Sequence, residues 1–149
     1  MRPLKTISIV ISILLLSPIS ANNELKVTTK LLEQIGESAT QLKSLNEAIP
    51  GAIIAYEHTL VNPTMTLASD LVFTDIIPKH TTFVGANCQN CTILYSVDGE
   101  VFDEASELFT YQSDSLRTAH PKEYKFVRWI IEELEPNSQQ KIVFRTKID

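Results

Sequence analysis

The sequence predicts an all-β fold, an antiparallel β-sandwich of about seven strands preceded by a signal peptide. Short runs rich in β-branched and aromatic residues recur along the chain, and turn-forming residues separate them. No run sustains the period of an amphipathic helix. A chain of 149 residues has the size of one domain. We therefore expect a signal peptide over residues 1–21 and one domain over residues 22–149.

The N-terminus has the layout of a bacterial-type export signal. Arg2 and Lys5 precede the apolar run TISIVISILLLSPISA, which is shorter than the roughly 20 residues that a membrane-spanning helix needs. Pro18 interrupts this run shortly before Ala21, a small residue suited to cleavage. We expect export to the periplasm, the cell surface or the medium, with no stable membrane insertion after cleavage. An uncleaved N-terminal anchor is the alternative.

The first part of the domain predicts two strands. Residues 25–35 mix strand alternation with helix formers and give the first strand, whereas residues 36–48 read as a polar connection with at most one helical turn. The Pro–Gly pair at residues 50–51 suits a type II turn. Residues 52–62 give the second strand, which Pro63 ends because proline cannot donate to a ladder.

Three further strands are predicted in the middle of the chain, at residues 70–77, 81–86 and 92–97. Pro78 stops the first of them. The Asp–Gly pair at residues 98–99 predicts a tight hairpin turn, because both residue types tolerate positive φ.

The end of the chain gives the clearest hairpin. Polar residues 104–124 predict a long loop, after which residues 124–134 and 141–148 alternate as two half-buried strands joined by a turn at Pro136–Asn137. Trp129 lies on the predicted inner face and is expected to be a buried anchor of the sandwich.

Charge and motifs argue against several functions. The formal net charge of −5 disfavours nucleic acid and anionic lipid surfaces as partners. No G-x-S-x-G motif occurs, and the four glycines are too few to suggest a phosphate-binding loop. We predict a protein that is not an enzyme and that needs no cofactor or metal. The acidic stretch at residues 98–107 is interpreted as a solvated loop, with calcium binding as the alternative.

Cys88 and Cys91 form a C-x-x-C motif between two predicted strands. A thioredoxin-like redox pair would stand at the start of a helix, and a zinc site would need a second pair of ligands. In an oxidising compartment the pair is better explained as a disulfide that closes a turn. A redox-active pair is retained as the alternative.

Several single residues have predicted roles. His58 shares the parity of Tyr56 and Asn62, so it is expected to point into the sandwich. Asp75 ends a strand, where its carboxylate can accept backbone N–H groups. Three aromatic residues around the predicted long loop are candidates for partner binding: Phe102, Phe109 and Tyr111. Together with Tyr95 they could supply the exposed aromatic platform of a glycan-binding module.

Four segments carry a resemblance to a known family: IPGAIIAYEHTLVNPT, LVFTDIIPKHTTFV, YSVDGE and VRWIIEELEPNSQQKIVFRTKI. Together they resemble the bacterial DUF11 domain, an Ig-like β-sandwich repeat of exported and cell-surface proteins, over residues 49–148. The resemblance implies an Ig-like sandwich and export, and it implies no reaction. Asn137 stands where such sequences usually have glycine, and the usual tandem repeat is a single copy here. The landmark residues, interpreted as structural, are Tyr56, Asn62, Asp75, Pro78, Trp129 and Pro136.

The sequence thus predicts a non-enzymatic, exported Ig-like module of the cell envelope. It would bind an unknown protein or envelope component through loops or edge strands. One alternative is a module that binds a glycan or small ligand through exposed aromatic rings. Another is a periplasmic thiol–disulfide protein that uses Cys88 and Cys91.

Overall fold

The computed structural model describes residues 25–149, so the predicted signal peptide lies outside the described residues. The described chain confirms the all-β antiparallel sandwich, with ten strands in place of the seven expected. None of its helical turns is long or apolar enough to cross a membrane. The strands are β1 (Lys26–Ile35), β2 (Ser38–Leu42), β3 (Ile53–Asn62), β4 (Ala68–Ile76), β5 (Thr81–Cys88), β6 (Thr92–Ser96), β7 (Phe109–Gln112), β8 (Ser115–Thr118), β9 (Phe126–Leu134) and β10 (Ser138–Ile148).

The strands form two facing sheets and a separate hairpin. The first sheet has the order β2-β1-β3-β10-β5, and the second has the order β4-β9-β6. In the described part of the chain, strands β7 and β8 pair only with each other. Because every strand pair is antiparallel, each sheet can bury one face and expose the other, which matches the alternating sequence.

Aromatic side chains fill the space between the sheets. Trp129 of β9 and Phe144 of β10 are fully buried, with ring centroids 6.1 Å apart. His58 of β3 reaches Phe73 of β4 at 4.8 Å, and it is buried as its parity predicts. The expected inner position of Trp129 is confirmed, and this aromatic layer supplies much of the apolar area that stabilises the sandwich.

Two predicted turns are confirmed. Gly51 has φ 86°, and its N–H donates to the carbonyl of Ile148 at 2.8 Å, which joins the turn to the last strand. Asn137 has φ 53°, a left-handed conformation that asparagine tolerates better than most residues. The hairpin predicted around this turn is wrong, because β9 belongs to the second sheet and β10 to the first, so the turn at Pro136–Asn137 connects the two sheets.

The polar connection predicted at residues 36–48 is wrong in its first half, because residues 38–42 form β2. This strand pairs only with β1 and lies at the edge of the first sheet. Four of its five residues are exposed and only Leu42 is buried, so no apolar alternation marks it. The helical turn allowed there is confirmed as a 3₁₀ turn at Leu45–Glu47.

The tight hairpin predicted at Asp98–Gly99 is also wrong. Gly99 does have φ 86°, but the Asp98 carboxylate accepts the N–H groups of Glu100 and Val101 at 2.8 and 3.0 Å. The chain returns to β6 only at Asp103, which forms one isolated antiparallel bridge with Tyr95 in the described chain. Side-chain hydrogen bonds of Asp98 and Ser96 therefore hold this segment in place of a hairpin ladder.

The long loop predicted at residues 104–124 contains the β7–β8 hairpin and a 3₁₀ turn at Pro121–Glu123. Ser113 and Asp114 form its two-residue turn, with φ 48° and 65°, as in a type I′ turn. Each strand has four residues and buries none of them, so the period-2 pattern that reveals a strand is missing.

Candidate functional site

The β7–β8 hairpin exposes three large apolar side chains on one face. Phe109, Tyr111 and Leu116 are 48 %, 75 % and 57 % exposed. The strand register pairs Phe109 with Thr118 and Tyr111 with Leu116, so all three point to the same side of the hairpin. We call these three side chains the hairpin face. The sequence predicted Phe109 and Tyr111 as partner-binding residues, and the structure brings them together.

Buried residues fix the root of this hairpin. Leu108 and Ala119 precede and follow its strands and are 2 % and 4 % exposed. The Ala119 N–H donates to the Leu108 carbonyl at 2.7 Å, which extends the ladder into the protein. The hairpin is therefore anchored to the hydrophobic core although its outer face meets solvent.

An ion pair holds the opposite face of the hairpin. Arg117 donates from both terminal nitrogens to the two carboxylate oxygens of Glu123, each at 2.8 Å. Arg117 Nε also donates to Gln112 on the neighbouring strand at 2.6 Å. Hydrogen bonds from Arg117 lower the pKa of Glu123 to about 2, and the His120 N–H that Glu123 accepts adds to this effect. A two-point contact of this kind restricts orientation as well as distance.

The surroundings of the hairpin are acidic. Residues 98–114 carry six acidic side chains and no basic one. Glu104 and Glu107, which precede the hairpin, are exposed, as is Asp114 at its tip. Asp98 lies in the acidic stretch predicted to be a solvated loop, but it has a structural role. Its carboxylate accepts backbone N–H groups, and these hydrogen bonds lower its pKa. Among residues 25–149, no group of acids, histidines or cysteines is arranged to hold a metal ion.

Phe102 lies apart from the hairpin face. It packs on the outer face of the second sheet, with the Arg128 guanidinium 3.5 Å from its ring centroid and Phe126 at 6.2 Å. Arg128 also donates to Thr74 at 2.9 Å, and burial lowers its pKa. Phe102 is therefore half-buried and contributes to a cation–π contact within the protein.

Tyr95 is not available as a binding platform. Its ring stacks on Tyr124 at 4.7 Å and meets Phe83 at 5.3 Å, where the β5 and β6 ends of the two sheets meet. Burial raises the pKa of Tyr95, with Tyr124 as a second cause.

Cys88 and Cys91 form a disulfide that joins the end of β5 to the start of β6. Asn90 lies between them with φ 52°, so the bridge closes a tight turn from one sheet to the other. The structure contains the disulfide between Cys88 and Cys91 that the sequence predicts. The bridge gives no sign of reactivity by itself.

Asn62 organises the connection between the two sheets. It is fully buried at the end of β3, and its amide nitrogen donates to the carbonyls of Thr66 and Leu134 at 2.8 and 3.0 Å. Its carbonyl oxygen accepts the backbone N–H and the hydroxyl of Thr64. These contacts are consistent with the structural role predicted for Asn62.

Tyr56 is a buried tyrosine whose hydroxyl lacks a well-aligned hydrogen bond. Its ring stacks on Phe144 at 4.4 Å. The Thr146 hydroxyl is close enough to influence it, but neither oxygen has a partner of good geometry in the described chain. Burial raises the pKa of Tyr56 to about 12, opposed by Thr146 and supported by the charge of Asp75.

The remaining landmark residues lie at strand ends. Asp75 accepts the N–H of Ile76 at 2.8 Å, as predicted for a carboxylate at the end of a strand. Pro78 follows β4, and its carbonyl accepts the Thr81 hydroxyl at 2.7 Å. Pro136 stands in the turn between β9 and β10.

The sequence analysis missed a polar cluster that joins the two sheets. His58 Nδ1 lies 2.8 Å from the hydroxyl of Thr29, and His58 Nε2 lies 2.8 Å from Asp75 Oδ2. Asp75 belongs to the second sheet, whereas Thr29 and His58 belong to the first. The three residues are far apart in sequence, so only the pairing of β1 with β3 and the facing of β3 and β4 reveal the cluster.

The fold and the hairpin define an antiparallel β-sandwich with one protruding, anchored hairpin. Comparisons with protein-family models, curated proteins and solved structures found no match to this chain. The resemblance to the DUF11 domain therefore stays a prediction from the residues quoted above.

Proposed function

We propose that this protein is an exported, non-enzymatic interaction module of the DUF11-like type, which binds a protein partner through the hairpin face. The observation that carries the proposal is the grouping of Phe109, Tyr111 and Leu116, all exposed, on a hairpin with a buried root. Aromatic anchors on a restrained scaffold are typical of the residues that dominate binding energy in protein interfaces.

The anchoring of the hairpin favours binding. Its root is fixed by Leu108 and Ala119, and its inner face is held by the Arg117–Glu123 ion pair. Because the hairpin is held before the partner arrives, less conformational entropy is lost when the complex forms. The hairpin can therefore present its apolar side chains in one orientation.

The charge around the hairpin defines the partner. Acidic residues before the hairpin and in its turn lie around the apolar hairpin face. A complementary protein surface therefore has an apolar centre with basic residues at its rim. The same charges disfavour nucleic acid and anionic lipid.

Edge strands are a weaker site than the hairpin face. Strand β4 lies at an edge of the second sheet. Asp70, in the first half of this strand, has φ 54° and so interrupts the extended strand geometry. An interruption of this kind disfavours the addition of a regular partner strand.

Photo-crosslinking in the cells that produce the protein tests the proposal. A photoreactive phenylalanine replaces Tyr111 in one variant and Met65 in another. Met65 is the matched control because it is 83 % exposed and lies in the β3–β4 connection, outside the hairpin. We expect a discrete protein adduct from position 111 only, which disappears when Phe109→Ser and Leu116→Ser are added. The same adducts from both positions, or none, would contradict the proposal.

The same experiment addresses glycan binding, which the exposed rings of Phe109 and Tyr111 keep as the second candidate. A carbohydrate adduct at position 111, with no protein adduct, would replace the proposed function by this one. If glycan binding is unchanged in the double variant Phe109→Ser, Tyr111→Ser, these two rings are not the glycan-binding platform and the second candidate is contradicted.

A thiol titration tests the third candidate, a thiol–disulfide protein. We expect no free thiol from the native or the denatured protein until a strong reductant is added, since the bridge closes a structural turn. Cycling of Cys88 and Cys91 under mild reductant would favour redox activity instead.

Export is proposed from the N-terminal sequence alone. N-terminal sequencing of the protein recovered outside the cytoplasm should begin after Ala21 if the signal peptide is cleaved there. Intact Met1 on a cytoplasmic protein would refute export.

A further inference from the structure

Thr29, His58 and Asp75 form a hydroxyl–imidazole–carboxylate series. The two distances are both 2.8 Å, from the Thr29 hydroxyl to His58 Nδ1 and from His58 Nε2 to Asp75 Oδ2. The carboxylate oxygen lies off the direction of the ring N–H, so this second contact is a close electrostatic one without good hydrogen-bond alignment. His58 and Asp75 are 2 % and 7 % exposed.

A role for His58 as a proton acceptor requires the imidazole tautomer whose proton is on Nε2, the nitrogen that lies 2.8 Å from the Asp75 carboxylate. A carboxylate only accepts hydrogen bonds, so its proximity favours a proton on this nitrogen. Nδ1 is then a free acceptor, and the Thr29 hydroxyl donates to it. This is the arrangement in which an imidazole takes a proton from a hydroxyl while a carboxylate stabilises the imidazolium that forms.

The series runs from the core to solvent at an open side of the sandwich. Within residues 25–149, strand β2 pairs only with Leu31–Ile35, so the first half of β1 is an edge of the first sheet there. Thr29 lies in this half and is exposed. Strand β4, which carries Asp75, is an edge of the second sheet. Thr29 is therefore exposed at this edge of the sandwich, while His58 stays buried behind it.

We propose that Thr29 is an activated nucleophile that accepts an acyl group from a carboxylic ester or thioester. The Thr29 oxygen attacks the carbonyl carbon and its proton passes to His58 Nδ1. The alcohol or thiol then leaves with that proton, and an ester to Thr29 remains. No oxidant or reductant is needed. Asp75 is a positioning residue for His58. The inference is independent of the hairpin face and of the function proposed for it.

The chain contains a matched control for this reaction. Thr28 lies next to Thr29 on the same strand, is also exposed, and pairs with Thr59 on the other face of the sheet. Both threonines fall in one short tryptic peptide, VTTK. Fragmentation of this peptide therefore compares the two hydroxyls within the same molecule.

The test treats the protein with p-nitrophenyl acetate near pH 7 and maps the acetyl groups. We expect Thr29 to be acetylated at least ~100-fold faster than Thr28, the usual lower range for general-base assistance. Thr29→Val should abolish the ester at this position, and Thr28→Val should leave the rate at Thr29 unchanged. Asp75→Asn, checked for folding by circular dichroism, should slow the reaction at Thr29 without changing Thr28. Acetylation of Thr29 and Thr28 at rates within about tenfold of each other would overturn the inference, since no general-base assistance would then be present.

Discussion

Replacement of Tyr56 by phenylalanine isolates the contribution of one buried hydroxyl to stability. The ring would keep its stacking on Phe144, while the oxygen that lacks a well-aligned partner is removed. A buried hydroxyl without a good hydrogen bond is destabilising, so at pH 7 we expect Tyr56→Phe to raise the free energy of unfolding by roughly 1 kcal/mol.

The advantage of the variant should grow at alkaline pH. The pKa of Tyr56 rises from 10.0 to about 12 on folding, so between these values the unfolded chain loses the proton and the folded chain keeps it. Ionisation of this phenol therefore does not affect the free energy of unfolding of the wild-type protein below pH 10, and it lowers that free energy as the pH rises from 10 towards 12. A difference of about two pH units corresponds to about 3 kcal/mol.

Urea unfolding of both proteins at steps from pH 7 to pH 12 measures this effect. The wild-type protein should lose about 3 kcal/mol relative to Tyr56→Phe between pH 10 and 12. Tyr111→Phe, which removes a solvent-exposed phenol, is the control and should follow the wild type. Parallel profiles for wild type and Tyr56→Phe would refute the account of this buried cluster.

Three further predictions concern the core, the β3–β4 connection and the hairpin. Trp129→Ala should lower the free energy of unfolding by about 3–5 kcal/mol in urea, and a loss below about 1.5 kcal/mol would contradict its place at the centre of the core. Asn62→Ala should cost about 2 kcal/mol by the same assay, because the buried carbonyl of Leu134 loses its donor; an unchanged midpoint would contradict this. Glu123→Gln should speed tryptic cleavage after Arg117, and an unchanged rate would show that the ion pair does not restrain the hairpin. The Glu123 carboxylate has its pKa lowered from 4.5 to about 2, so its contribution, complete above pH 4.5, should be lost as the pH falls through about 2.

Strands that bury one face could be predicted from the sequence, and exposed strands could not. Strand β9 alternates because Val127 and Trp129 enter the core, and the same pattern gave His58 its inward position. Strand β2 and the hairpin strands bury almost nothing, so their residues carry no period-2 signal and resemble loops. The alternating pattern in the sequence therefore reveals which strands bury a face. It does not reveal strands that pair without burying side chains.

The candidate sites show the same limit. Phe109 and Tyr111 were predicted because aromatic residues in a polar segment are conspicuous, but Leu116 joins them only through the register of the hairpin. The contact of His58 with Asp75 depends on how the two sheets face each other. Local sequence patterns do not specify that geometry.

The most direct test of the proposed function is the yield of the protein adduct at position 111 when the charge of the hairpin surroundings is reversed. The account predicts a clear adduct with the wild-type surroundings, a lower yield with Glu104→Lys and Glu107→Lys, and a lower yield as salt rises from about 0.05 to 0.5 M. It also predicts that the Phe109→Ser and Leu116→Ser pair removes the adduct. A yield that stays the same under all three changes would contradict recognition of a basic, apolar-centred partner by the hairpin face.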